Sequence, residues 1–222
     1  MTRCSLLLAA AIALAACGAN EAPETAATDT PARVTVMAFN VQNLFDTVDD
    51  PGKDDKAYLP IEAKQVEAHI AECNEIEVES WRNECLTLDW DDEALRHKLG
   101  VVADTILQVN DGRGPDIVAL QEVENLAVLE RLRNEHLQQG EYHPAVLIEG
   151  ADTRGIDVAF LTRLPLAGDP VPHPLDLPAD YVAREGDTRG LIEATFELPD
   201  GALLTGYSVH FPAPFHPTEM RV

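Results

Sequence analysis

The sequence predicts a mixed α/β sheet protein. Three observations carry that class: strand and helix patterns alternate in the first half, short strand-like runs punctuated by Pro and Gly follow in the second, and a hydrophobic content of 45% is enough for a real core. A length of 222 residues suits one domain, or one and a half. Asp and Glu number 39 against 16 Lys and Arg, a formal charge of -23. Holding nucleic acid by broad electrostatics needs a cation for each phosphate contact, so that class is disfavoured. An enzyme with a small positive site or a metal is not. No run of about eighteen apolar residues is present, so no helix is expected to span a membrane. Four cysteines are too few for a disulfide scaffold.

The chain opens on Met1-Thr2-Arg3, an apolar stretch from Ser5 to Ala13, then Leu14-Ala15-Ala16-Cys17. The apolar stretch has the length of a signal-peptide core and is too short to span. A cysteine after small residues resembles the lipobox of bacterial lipoproteins, which implies a signal over 1–16 and a lipidated Cys17. An ordinary secretory signal or a small N-terminal core helix are the alternatives. Gly18 resembles the outer-membrane sorting pattern. Residues 17–32 are then a lipid-anchored tether, since they lack periodicity and are rich in Ala, Glu, Thr and Pro. Export places the rest in an oxidising compartment, where Cys73 and Cys85 remain as a pair. A disulfide is expected, with two free thiols as the alternative.

Val34 to Phe39 alternates around β-branched and small residues, which predicts a strand. Residues 46–93 carry sixteen acids and four Lys or Arg, about half the net charge, along with both tryptophans, Trp81 and Trp90. This stretch reads as an acidic insertion with one or two short helices stapled by Cys73–Cys85. Its acids read as a solvated face; a calcium site remains an alternative, although Asp49 to Asp55 does not match an EF-hand loop. Leu95, Leu99, Val102, Ile106 and Val109 recur at helical spacing, with Asp91 or Asp92 placed as the cap. Asp116 to Leu120 is a continuous apolar run, as in a strand buried on both faces. Leu126, Leu129, Leu132 and Leu137 predict a second helix. Strand-like runs follow at Ala145–Ile148, Asp157–Leu161, Ile192–Leu198 and Leu203–His210. The Pro-rich stretch 165–178 reads as a loop. The tetrapeptide Asp-Thr-Arg-Gly occurs at 152–155 and again at 187–190, where turn chemistry alone can select it.

Polar residues gather at the predicted strand ends: Asn40 and Asn43 after the first, Gln121 and Glu122 after the buried strand, Arg154 before the strand at Asp157, and His210 at the close of the last. In layered α/β sheets such ends converge where ligands bind. A carboxylate with amides nearby suits Mg²⁺, an Arg offers a fork to phosphate oxygens, and a His can hydrogen-bond a phosphate or pass a proton. Each also has a plain structural reading. Asn40 can cap a turn, Glu122 can be the first-turn acid of a helix, and Asp157 can pair with Arg154 or Arg163.

Four segments occur in order: Phe39-Asn40-Val41-Gln42-Asn43-Leu44-Phe45-Asp46, Asp116 to Asn125 with its Leu120-Gln121-Glu122 step, Arg154-Gly155-Ile156-Asp157-Val158-Ala159-Phe160-Leu161, and Ser208-Val209-His210-Phe211-Pro212-Ala213-Pro214. Together they resemble the endonuclease/exonuclease/phosphatase superfamily, over residues 33–222 apart from the insertion. The resemblance implies a deoxyribonuclease I-like two-sheet α/β sandwich with its site at one edge. It also implies a Mg²⁺-dependent (or Mn²⁺- or Ca²⁺-dependent) phosphodiesterase or phosphatase, with a phosphoester substrate, a range that includes DNA, and no protein partner. It places Asn40 at metal and phosphate, Glu122 as the metal-binding acid, and His210 against the scissile phosphate. Arg154, Asp157 and Asn43 fall on the substrate side. Gln42 stands where some members carry a second acid. The family's glycine–aspartate–x–asparagine and serine–aspartate–histidine motifs are not found before Val222. The expectation is therefore a C-terminally truncated domain, inactive or incomplete by itself, at the cell envelope. The competing reading is a surface-anchored binding protein that keeps the scaffold without the chemistry.

Overall fold

The computed structural model describes residues 33–214 and 216–220. The expected signal, tether and Cys17 lie outside the described residues. The chain builds two sheets with helices against one of them. Strand β1 (Val36–Leu44) leads into the insertion, which holds helices α1 (Glu67–Asn74) and α2 (Glu79–Thr87). Helix α3 (Asp92–Leu107), strand β2 (Ile117–Val123) and helix α4 (Leu126–Arg131) follow. Then come β3 (Val146–Leu147), β4 (Asp157–Thr162), β5 (Val171–His173), β6 (Leu191–Glu197) and β7 (Leu203–Ser208).

The first sheet has the order β1-β2-β4-β3, with β1 parallel to β2 and the other pairs antiparallel. The second is antiparallel, β5-β6-β7. Strand β2 explains the layering. Its alternate residues Ile117 and Ala119 pack with Val158, Phe160, Ile192, Ala194 and Phe196, the core between the sheets. Val118 and Leu120 face the other way, onto Leu95, Leu99, Val102 and Ile106 of α3 and Leu129 beyond them. A strand covered on both faces has no solvent side to mark with polar residues, hence its unbroken apolar run.

Asp91 caps α3, its side chain accepting from the backbone N–H of Glu93 and Ala94. Several boundaries differ from the sequence reading. Helix α3 stops before Val109. Leu126, the first residue of α4, is 44% exposed, while Leu129, Leu132 and Leu137 are buried, and α4 gives way to a π-helical turn at Leu132–His136. The Pro-rich stretch contains β5, which sits at a sheet edge, where Pro172 has no central ladder to break. His210 lies two residues beyond β7 rather than closing it. Cys73 and Cys85 form the expected disulfide, joining α1 to α2.

Candidate active site

The site forms where parallel β1 and β2 end. Register between them slips: Asn40 pairs with Gln121 and Leu44 with Val123, so Val41, Gln42 and Asn43 stand opposite Glu122 alone. The backbone absorbs this in left-handed conformations, with φ of 56° at Gln42, 60° at Asn43 and 65° at Glu122. For non-glycine residues this costs about 1–3 kcal/mol each, and it is found where surrounding contacts enforce it. Asn40 and Glu122, expected to follow their strands, therefore lie inside them, in irregular segments that re-aim their side chains.

Two donors hold the Glu122 carboxylate. Asn40 Nδ2 donates to Oε1 at 3.0 Å, and the Asn43 backbone N–H donates to Oε2 at 3.0 Å. Asn40 Oδ1 accepts from the Gln42 N–H at 2.8 Å. Gln42 is exposed and contributes through its backbone; its carbonyl accepts from Lys98 Nζ of α3 at 2.9 Å. Burial holds the Lys98 ammonium below its ordinary range, with the Glu122 charge opposing. Arg154 Nη2 donates to Asn43 Oδ1 at 2.6 Å, and His210 Nε2 lies 3.6 Å from Glu122 Oε1. Asn40, Asn43, Glu122, Arg154 and His210 thus meet, brought from four separated segments.

Three further contributors had no reading as site residues in the sequence. Arg189 and Asp152 form a buried ion pair at 2.5 Å, with side chains 8% and 3% exposed. Arg189 Nη1 also reaches His210 Nδ1 at 3.3 Å. A guanidinium has only donors, so Nδ1 accepts and His210 carries its proton on Nε2, toward Glu122. Burial first, then the Arg189 charge, hold the His210 imidazole below its ordinary pKa. The third is Tyr58 of the insertion, whose hydroxyl bonds the Asn43 side chain; burial, with Glu84, pushes it up to about 12, so it stays protonated. The repeated Asp-Thr-Arg-Gly was the one available signal. Its first copy gives Asp152 and its second Arg189, and Thr153 N–H donates to Gly186 O at 2.8 Å. The two copies pair with each other in space.

Asp157 is not brought to this group. It is 2% exposed, and its Oδ1 accepts from the Gly150 N–H at 3.0 Å. It pairs with neither Arg154 nor Arg163, which bonds Asp116 at 2.9 Å instead. Burial, then the charge of Glu149, push Asp157 up to about 7. Nor is the insertion only a solvated acidic face. Lys53 Nζ donates to Asp152 O at 3.0 Å, and Asp54 N–H to Thr153 O at 2.8 Å, so it braces the loop that carries Arg154.

Residues 70–166 match the family model described as Endonuclease/Exonuclease/phosphatase family, a span that includes Glu122, Asp152 and Arg154. Over that span the chain is similar to the endonuclease/exonuclease/phosphatase family. The two-sheet α/β architecture agrees with the sandwich that this family implies. No curated protein matches the chain. Among solved structures, an endonuclease/exonuclease/phosphatase from Beutenbergia cavernae aligns over 86% of this chain with 16% identity and a TM-score of 0.46. The chain spans 41% of that protein's length.

Glu122 and Asn40 suit a divalent cation of the Mg²⁺ class. They offer hard oxygens, one carboxylate and one amide carbonyl, and Arg154 bonds Asn43 rather than neutralising Glu122.

Proposed function

We propose that this chain carries the metal- and phosphate-holding part of a metal-dependent phosphoester hydrolase. The observation that carries the reading is the Glu122 carboxylate, oriented by Asn40 and Asn43 and flanked by Arg154 and the N–H edge of His210. Glu122 and Asn40 would hold the cation, which supplies Lewis-acid polarisation of a phosphoryl oxygen. Arg154 keeps N–H groups beyond its Asn43 bond, in a fork suited to phosphate oxygens. His210 Nε2–H donates to the developing charge on the phosphoryl group. With Nδ1 facing Arg189, His210 is held as a donor, so the group that takes the proton of the attacking water lies elsewhere.

The charge of -23 favours small phosphoesters, or nucleic acid held with a weak electrostatic grip. The Cys73–Cys85 disulfide supports an exported protein, in keeping with lipidation at Cys17 and an envelope location. Among the described residues no helix is long and apolar enough to cross a membrane.

The direct test is binding of a non-hydrolysable phosphodiester to the 222-residue chain with and without Mg²⁺, beside hydrolysis of a generic phosphodiester by any longer product of the same reading frame. Binding that needs Mg²⁺ and is lost in Glu122→Ala is expected, with hydrolysis in the longer product. Metal-independent binding, or full activity in Glu122→Ala, would remove the assignment. Binding without turnover in every form would favour the non-catalytic reading.

A further inference from the structure

A second set of acids lies at the start of the insertion. Asp50, Asp55 and Glu124 each offer a carboxylate oxygen, and these atoms all lie within 4.8 Å of one another. That is about the widest separation a cation can bridge when each oxygen is about 2.4 Å from it. Asp55 is 2% exposed and Glu124 1% exposed. The strongest charges acting on Glu124 come from Asp46, Asp50 and Asp55, all acids. Burying several carboxylates together without a cation is among the costlier arrangements a fold can hold.

The neighbouring hydrogen bonds account for only part of the cluster. Asp55 Oδ2 accepts from the Asp50 N–H at 2.8 Å, and Glu124 Oε2 from the Asp46 N–H at 2.5 Å and Asn125 Nδ2 at 3.2 Å. Asp55 Oδ1 is buried with no hydrogen-bond partner. An orphaned carboxylate oxygen inside a closed group of acids is what a bound cation satisfies. The Glu122 set is distinct, since its carboxylate is held by Asn40 and Asn43.

We propose that Asp50, Asp55 and Glu124 hold a structural divalent cation of the calcium class, which ties the first segment of the insertion to the end of β2. Calcium suits the site because the donors are all hard oxygens on an irregular loop, and Ca²⁺ accepts variable oxygen geometry where Mg²⁺ demands a near-ideal octahedron. The placement has a purpose in the fold. Residues 50 to 55 also carry Lys53 and Asp54, whose bonds to Asp152 and Thr153 brace the loop bearing Arg154. This proposal goes beyond the phosphoester reading and stands without it.

The test uses the full chain stripped of divalent ions, then titrated with CaCl₂ by calorimetry and by thermal denaturation. Glu122→Ala serves as the form lacking the other site. Wild type and Glu122→Ala should both bind Ca²⁺ and gain about 5–10 °C in Tm at a hundred times Kd. Asp55→Asn should weaken binding at least about tenfold. Asp50 is only half-buried, so Asp50→Ser gives the same reading if Asp55→Asn does not fold. No Ca²⁺ binding in wild type, equal binding in both cluster variants, or loss of binding in Glu122→Ala would each overturn the site.

Discussion

Arg189 serves two groups at once: it neutralises Asp152, and it turns His210 so that Nε2–H faces Glu122. Replacing it with Met should leave Asp152 buried and uncompensated, at about 3–5 kcal/mol measured by urea denaturation. Arg189→Met with Asp152→Leu should recover most of that loss, because no charge is then stranded. The His210 role is read separately, from imidazole ¹⁵N shifts. Wild type should show the Nε2–H tautomer, and Arg189→Met a mixture. Asp157 gives a pH prediction. Its folded pKa of about 7 lies above the ordinary carboxylate value, so the folded state holds its proton longer than the unfolded one. This contribution to stability is full below about pH 4, falls as pH rises to about 7, and stays lost above, an upper bound of about 4 kcal/mol. Asp157→Asn keeps an oxygen for the Gly150 N–H. It should raise the urea midpoint at pH 8 more than at pH 4.5; equal shifts at both would contradict the burial argument.

At the scale of elements, the two helices of the insertion bury few residues. The buried residues of α1 are His69 and Cys73, and that of α2 is Cys85, so the disulfide stands in for a core. Closing a loop with a sequence separation of 12 contributes about 3 kcal/mol in the chain-entropy model. Reduction, or Cys73→Ser with Cys85→Ser, should therefore speed amide hydrogen exchange in 67–87 while leaving β2 and β4 protected. Uniform loss of protection would mean that the insertion and the sheets unfold as one unit. Aromatic packing at its root argues for separate behaviour: Phe45, at the end of β1, stacks on Tyr58 at 4.0 Å, and Trp90 meets Tyr58 edge-on at 5.5 Å. That root stays with the sheets while the two helices open. The elements themselves were legible where one periodicity ruled, as in α3 and β2. Strand β5 was hidden because proline at a sheet edge looks the same in sequence as proline in a loop.

For the whole molecule, charge sets how the site meets a ligand. About half of the net charge lies in the insertion. A phosphodiester held by the metal site and one or two arginines should show a shallow salt dependence, with a log–log slope of about -1 to -2. A slope near -6 in DNA-binding titrations would instead reveal an extended cationic track, which the composition argues against.

The sequence alone determined the α/β class, the capped helix α3, the doubly buried β2 and the disulfide pair, and it singled out Asn40, Asn43, Glu122, Arg154 and His210 as candidates, which the fold brings together. Each of these rests on local pattern: periodicity, capping, or a motif that keeps its order along the chain. The tertiary structure decided what depends on long-range register. The slip between β1 and β2 puts Asn43 N–H on Glu122, Asp152 and Arg189 meet only when the two Asp-Thr-Arg-Gly copies are folded together, and Asp157 is buried against the Gly150 N–H rather than joining Glu122. Glu124 joins Asp50 and Asp55 only because the strand end brings them together. A single sequence shows which residues can carry charge or donate a bond. Which of them share one desolvated point in space is a property of the packed chain.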